Sequence, residues 1–277
     1  MISKNKLKEL AAYRQQRRCD EEAVFVVEGP KMCAEALASS FNIRVVCATE
    51  EWRVESGEWR TESGERRVES EEWRTESGER RVENGEWRTE SGEFYEVSQA
   101  ELERLSNMRS PNQVWMLVER PANFSLLTSH SSLILALDRI QDPGNMGTIM
   151  RTADWYGIRH IVCSSDTVSC YNPKVVQASM GAIFRTCVEY VDLPQWLADC
   201  GMTVFGATLN GEPLTPGAEL VSEDHPAVLL IGNEGRGISD EALTAVTRPV
   251  TIGNIGGTAE SLNASVAAAI LIDRLIG

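Results

Sequence analysis

The chain has no run of about eighteen apolar residues among its 277 positions, so no transmembrane helix is expected. Its start, Met1-Ile2-Ser3-Lys4-Asn5-Lys6, is followed by no apolar signal core, which argues against secretion. Histidine is scarce: His130, His160 and His225 are the only three, and none lies near a matching cysteine or acidic motif. The seven cysteines (Cys19, Cys33, Cys47, Cys163, Cys170, Cys187 and Cys200) form no C-x-x-C pair. An odd, unpatterned set excludes a disulfide scaffold and a zinc site, so no metal is expected, and it suits a reduced cytoplasmic protein. Two nucleotide signatures are also missing. No G-x-G-x-x-G follows the first strand, and no Gly-Lys-Ser/Thr closes a phosphate loop. Positive charge is in deficit, with a formal net charge of −14, which by itself argues against nucleic acid. That argument is weak here. Residues 51–93 carry fourteen Glu against eight Arg, a net −6, whereas the N-terminal arm is locally basic with Lys4, Lys6, Lys8, Arg14, Arg17 and Arg18.

What is present is an alternation of apolar runs and helical periodicity. Helical spacing over Lys4–Arg18, a strand at Val24–Val27, a helix over Lys31–Ser39 and a strand at Val45–Cys47 make a small α/β start. Order resumes with a strand at Phe94–Val97, a helix at Gln99–Leu105 and a strand at Val114–Val118. This region, residues 1–118, reads as one small N-terminal domain, and 119–132, with Pro121, as a linker. From 133 to 277 the predicted strands are Leu133–Leu137, His160–Cys163, Thr186–Val188, Thr203–Ala207, Ala227–Ile231 and Pro249–Ile252. The predicted helices are Met146–Tyr156, Lys174–Met180, Gln195–Asp199, Ser239–Ala245 and Ser261–Ile276. Such alternation specifies an α/β domain with a mainly parallel sheet covered on both faces.

The small domain is interrupted at 51–93 by a tandem heptad beginning Glu51-Trp52-Arg53-Val54-Glu55-Ser56-Gly57. Glycine ends most copies and apolar a/d spacing is absent, which disfavours a coiled coil. A strand meander turning at Ser-Gly and a solvated low-complexity insert remain, and charge and glycine content favour the insert. Near-identical copies cannot each satisfy a different packing environment. Replacement of Trp52 to Gly92 by a short Gly-Ser loop is therefore expected to leave the fold intact.

Three stretches in the second half carry chemistry. Leu229-Leu230-Ile231-Gly232-Asn233-Glu234-Gly235-Arg236-Gly237-Ile238-Ser239 runs from a strand through a glycine loop to a helix start, where α/β proteins hold small ligands. Leu137-Asp138-Arg139-Ile140-Gln141-Asp142-Pro143-Gly144-Asn145 passes from a strand through a Pro-Gly turn into a helix. At 100° per residue that helix gathers Met146, Ile149, Met150, Ala153 and Tyr156 on one face and points Arg151 nearly opposite. Arg151 is then either a solvated surface arginine or a fixed cation beside a ligand. Thr251-Ile252-Gly253-Asn254 leads through more glycine to Ser261-Leu262-Asn263 and an alanine-rich helix whose small residues permit close approach of a helix or a partner subunit.

Taken together, Asn145-x-Gly147-x-x-x-Arg151, Gly232-Asn233-Glu234-Gly235-x-Gly237 and Ser261-Leu262-Asn263-Ala264-Ser265-Val266-Ala267 resemble the three motifs of the SpoU (TrmH) RNA ribose methyltransferases, in order and spacing, over roughly residues 131–277. Phe25-Val26-Val27-Glu28-Gly29 and Ser110-Pro111-Asn112-Gln113-Val114 resemble that family's small substrate-binding domain. The resemblance implies a trefoil-knotted domain, a homodimer and methylation of a ribose 2′-hydroxyl in structured RNA, ribosomal RNA first and transfer RNA as the alternative. A non-catalytic RNA-binding relative is the reading from another class. The resemblance also implies S-adenosylmethionine held by backbone at Gly232, Ile252 and Leu262, with Thr208 at the neighbouring strand end, and the missing side chain of Gly232 is expected to leave space for that ligand. Arg151 would fix a phosphate and stabilise the oxyanion, or act as base with phosphate help. Asn145 would position the ribose or Arg151, Glu234 would orient Asn145 or Arg151, and Asn263 would hold the loop or the hydroxyl. Where the family has Pro-Met after the isoleucine, this chain has Gly253-Asn254.

Overall fold

A computed structural model describes residues 2–52, 92–121, 132–215, 220–222 and 224–276. The heptad copies within 53–91 and the linker positions 122–131, His130 among them, lie outside the described residues. The chain divides into two compact units, residues 1–122 and 123–277.

In the first unit, helix α1 (Lys4–Ala11) starts at Ser3, whose side chain accepts from the Lys6 N–H. The expected single helix to Arg18 is broken: Gln15 is extended (φ −91°, ψ 120°) and α2 (Gln16–Glu21) starts afresh. The bend brings Cys19 back to the Tyr13 carbonyl (Sγ to O 3.3 Å), so both side chains enter the core beside Leu7 and Leu10. Strands β1 (Val24–Glu28), β2 (Ile43–Ala48), β3 (Glu93–Glu96) and β4 (Val114–Glu119) form a sheet in the order β1-β4-β2-β3. Helix α3 (Pro30–Ala38) follows β1 directly, and α4 (Gln99–Leu105) opens with a capping box between Ser98 and Glu101. β4, the most apolar strand, is antiparallel to both of its neighbours, whereas β3 is parallel to β2.

That last pairing corrects the expectation for the repeats. Parallel neighbours need the chain to return the length of the strand, through a connection of roughly a dozen residues or more, so a short Gly-Ser loop between β2 and β3 cannot serve. The margins of the segment are also built in. Glu50–Trp52 is helical with Trp52 buried, and Glu93 starts β3 and pairs with Lys6 at 2.9 Å.

Glu28, in the first family-like stretch of this unit, holds the loop that precedes the second. Its carboxylate accepts from the Ser106 hydroxyl and from the Asn107 N–H (3.2 Å), pinning the loop that leads to Ser110 and Pro111. Burial raises this carboxyl above the usual carboxylate range.

The second unit holds a six-stranded sheet, all parallel, in the order β10-β8-β9-β5-β6-β7. The strands are β5 (Leu133–Leu137), β6 (His160–Ser164), β7 (Cys187–Val191), β8 (Thr203–Pro213), β9 (Ala227–Ile231) and β10 (Arg248–Thr251). The helices are α5 (Pro143–Trp155), α6 (Pro173–Ser179), α7 (Leu193–Asp199), α8 (Asp240–Leu243) and α9 (Ala264–Ile276). β5 and β9 are buried along their centres because helices cover both faces: α5 packs on α6 and α9, and α7 packs on α8. From β5 the sheet grows one way through β6 and β7 and the other way through β9, β8 and β10. The order therefore reverses at the β5/β9 pair, the topological switch where ligands sit in open α/β sheets.

Boundaries differ from expectation at several elements, among them β8, α8 and α9. β8 runs on to Pro213, because β10 pairs first with Phe205 and Gly206 and then with Glu212 and Pro213, leaving 207–211 as an excursion. α8 is a single turn. Ser261–Asn263 precede α9 and do not form part of it. All seven cysteines are free, and six are buried. Burial raises the Cys47 thiol to about 12, as expected of inert core cysteines.

The topology makes a test of the repeats. Deleting residues 58–85, four copies, leaves sixteen residues between β2 and β3 together with Trp52 and Glu93, and should keep the thermal midpoint within a few degrees. Replacing Trp52 to Gly92 by a four-residue loop should abolish cooperative unfolding of the first unit.

Candidate active site

The β5 and β9 ends lie side by side in register, Leu137 opposite Ile231, so the loops that follow them share one edge of the sheet. Asp138 joins them. Its N–H donates to the Ile231 carbonyl (2.9 Å), and its buried carboxylate accepts from the Ser239 N–H at the start of α8. The glycine loop closes on itself: Asn233 and Gly237 exchange backbone hydrogen bonds of 3.0 and 2.8 Å. The Asn233 side chain adds three more, accepting from the Gly235 and Arg236 N–H groups and donating to the Arg139 carbonyl (2.9 Å).

The helix after β5 is started by Asp142, whose Oδ1 accepts from the Asn145 N–H at 2.8 Å, with Pro143 at the first helical position. This places Asn145 on the first turn, buried at 9% exposure, facing the glycine loop. Asn145 Nδ2 donates to Glu234 Oε1. Asn263 Nδ2 donates to Asn145 Oδ1 at 2.8 Å. The Asn263 Oδ1 meanwhile accepts from the N–H groups of Ser265 (3.0 Å) and Val266 (3.4 Å), so the residue caps α9 with one end of its amide and holds Asn145 with the other. Gly147 admits this arrangement: a Cβ there would stand 2.5 Å from Ala178 Cβ and 2.8 Å from the Val175 carbonyl, so only glycine lets α5 lie this close to α6.

Of the residues singled out by sequence, the structure thus joins Asn145, Glu234 and Asn263 in one chain of hydrogen bonds. Glu234 bonds Asn145 and not Arg151. Arg151 is exposed on α5 and makes no ion pair or hydrogen bond among the described residues. Gly232 and Ile252 directly follow β9 and β10, which flank β8 in the sheet, and Thr208 sits partly buried in the β8 excursion between them in strand order. Leu262 is half-exposed just before α9. Among the described residues Gly232, Ile252 and Leu262 make no backbone hydrogen bond.

One expectation is overturned. The space beside Gly232 is not left for a ligand, because a Cβ there would meet the chain's own backbone 2.3 Å away at Gly237 and Ile238. The glycine serves the loop's closure on itself. At the Gly253-Asn254 departure, Asn254 organises the turn, accepting from the N–H groups of Gly256 (3.0 Å) and Gly257 (2.7 Å). Sequence reasoning gave no role to Asp138 or Asn233. Their signals were there: an acid at the end of an apolar strand, and an asparagine before a glycine turn.

A profile described as the SpoU rRNA Methylase family matches residues 132–273, about half of the chain. The chain belongs to the SpoU rRNA methylase family. A second profile, the MRM3-like substrate binding domain, matches residues 4–115 of this family member. The 23S rRNA (guanosine(2553)-2′-O)-methyltransferase RlmP of Bacillus subtilis is 33% identical over 187 residues, which cover 66% of this chain and 72% of that protein. A solved structure described as a putative RNA methyltransferase of the TrmH family from Porphyromonas gingivalis is 32% identical, with a TM-score of 0.79 over 100% of this chain and 98% of its own. An AdoMet-bound rRNA methyltransferase from Sinorhizobium meliloti shares the fold, with a TM-score of 0.74 over 98% of this chain and 94% of its own at 24% identity.

The network makes a test at Asn145. Asn145→Asp would set a second carboxylate against Glu234, and two adjacent carboxylates raise the pKa of one of them. A folded-state pKa above the unfolded value means that the variant comes closest to wild type below about pH 4 and loses stability as pH rises through the raised pKa. Denaturant midpoints at pH 4 and pH 8 should show a deficit at pH 8 larger by about 1–3 kcal/mol. Gly232→Val should lower the thermal midpoint together with ligand binding, because it breaks the loop itself.

Proposed function

We propose that this chain transfers a methyl group to a ribose 2′-hydroxyl of ribosomal RNA, with S-adenosylmethionine as donor. The observation that carries the reading is the Glu234–Asn145–Asn263 network, in which one residue from each of the three family motifs meets at the sheet's topological switch. The names of relatives support the substrate: RlmP acts on 23S rRNA. The AdoMet-bound neighbour of the same fold supports the donor. The uncommitted backbone groups of Gly232 and Ile252, after the two strands that flank the strand of Thr208, and of Leu262 before α9 suit an adenine that is read through its edge. When bound there, S-adenosylmethionine supplies an electrophilic methyl on a sulfonium.

The chain's own residues then have three tasks. Asn145, held at one donor and one acceptor, keeps a second N–H and a second lone pair for the ribose. Glu234 and Asn263 fix the plane of that amide. Arg151 binds a phosphate flanking the target and stabilises charge developing on O2′. An arginine holds its proton too firmly to serve as an ordinary base, with a pKa above about 12, so the hydroxyl proton passes to solvent. The N-terminal unit grips the RNA. The reading also includes a homodimer, a trefoil knot in the C-terminal unit and a cytoplasmic location. Exposed Trp155 (85%) on α5 and Val266 (46%) on α9 support the dimer as apolar surface on two helices that pack together.

The test uses S-adenosylmethionine labelled in the methyl group and unmodified ribosomal RNA, followed by digestion to nucleosides and mass spectrometry. A labelled 2′-O-methyl nucleoside is expected. Label in a base, or in transfer RNA alone, would overturn the reading. Arg151→Ala should lower transfer by roughly 100-fold or more while calorimetry finds cofactor affinity within about twofold of wild type.

A further inference from the structure

Arg139, the second residue after β5, has a left-handed backbone (φ 59°), a conformation that favours glycine over any side chain. A strand end and a loop hold it there. Its N–H donates to Ser164 Oγ (2.8 Å) at the end of β6, and its carbonyl accepts from Asn233 Nδ2 (2.9 Å) in the glycine loop. Glu234, the next residue along, holds Asn145, so Arg139 stands one residue away from the contact that fixes the site's central amide.

Its guanidinium pairs with one acid but makes no hydrogen bond to the described residues. Nε lies 3.5 Å from Asp138 Oδ1, an ion-pair distance without a hydrogen bond, and it is buried with no hydrogen-bond partner. None of the five N–H donors is hydrogen-bonded among the described residues, and the side chain is 25% exposed. Arg159 and Arg185 of the same unit behave differently, each giving a hydrogen bond to Asp154, at 3.0 and 2.8 Å. An arginine present only to neutralise Asp138 would close on it in the same way.

The geometry points to Arg139 as a second anion-binding residue of the site, beside Arg151. A planar fork of free donors matches the paired oxygens of a phosphate or a carboxylate. The inference rests on the proposed reaction, which offers two such anions: a backbone phosphate of the RNA near the target ribose, and the carboxylate of the methionyl group of S-adenosylmethionine.

Arg139→Gly tests it cleanly, because glycine keeps and eases the left-handed backbone while removing only the side chain. Arg139→Gln serves if the glycine variant fails to fold. Affinity is measured for S-adenosylmethionine, for its decarboxylated analogue, and for a 23S ribosomal RNA transcript over a series of salt concentrations. If the anion is a phosphate, RNA binding weakens about tenfold and the slope of log K against log salt falls by about 0.7 to 1, with cofactor affinity unchanged. If it is the carboxylate, S-adenosylmethionine binding weakens about tenfold while the decarboxylated analogue binds the variant as it binds wild type. Arg139→Lys should recover the salt slope in the first case. Unchanged affinities and slope in the variant, with a wild type that binds both ligands, overturn this inference alone. A wild type that binds neither ligand overturns the proposed reaction with it.

Discussion

The amide of Asn145 is the point on which the candidate site depends. It is nearly buried, on the first turn of α5, and it bridges an acid after β9 to an asparagine before α9. Three segments far apart in sequence are registered to one another through its two atoms. Removing one partner leaves a buried donor or acceptor unmet, at about 1–3 kcal/mol, more than the net worth of an ordinary hydrogen bond. An amide that must satisfy both a carboxylate and a neighbouring amide has one orientation, and the proposed ribose contact would inherit it.

The sheet provides the setting for that contact. Parallel pairing puts the C-terminal ends of β5 and β9 together, and Asp138 ties the following loops by taking the Ser239 N–H. The glycine loop is self-closed through Asn233 and Gly237, and Gly232 has no room for a side chain because the loop returns against it. Gly147 does the same at the helix layer by letting α5 lie against α6. Small residues here set distances within the protein.

Much of this was legible in the sequence. Alternating runs such as Leu133–Leu137 and Ala227–Ile231 could only be strands buried on both faces, and three spaced motifs named the chemistry. Strand order was not legible, since nothing in the apolar run of β9 says that it lies against β5. The bond between Glu234 and Asn145 follows only from that adjacency. The role of Gly232 was misread for the same reason: whether a missing side chain makes room for a ligand or for the chain's own backbone depends on where the loop returns. The repeats were misread at their margins, because local periodicity carries no information on whether β2 and β3 run parallel. Arg139 was passed over because a left-handed backbone at an arginine has no sequence signature.

The central claim is that Glu234 and Asn263 act on the reaction through one shared amide. A double-mutant cycle with Glu234→Gln and Asn263→Ala, read as the single-turnover rate of methyl transfer to ribosomal RNA, tests it directly. The account predicts that the double variant loses little more than the worse single variant, a coupling of about 1–2 kcal/mol. Single losses that simply multiply would mean that the two residues act independently, and would contradict the account.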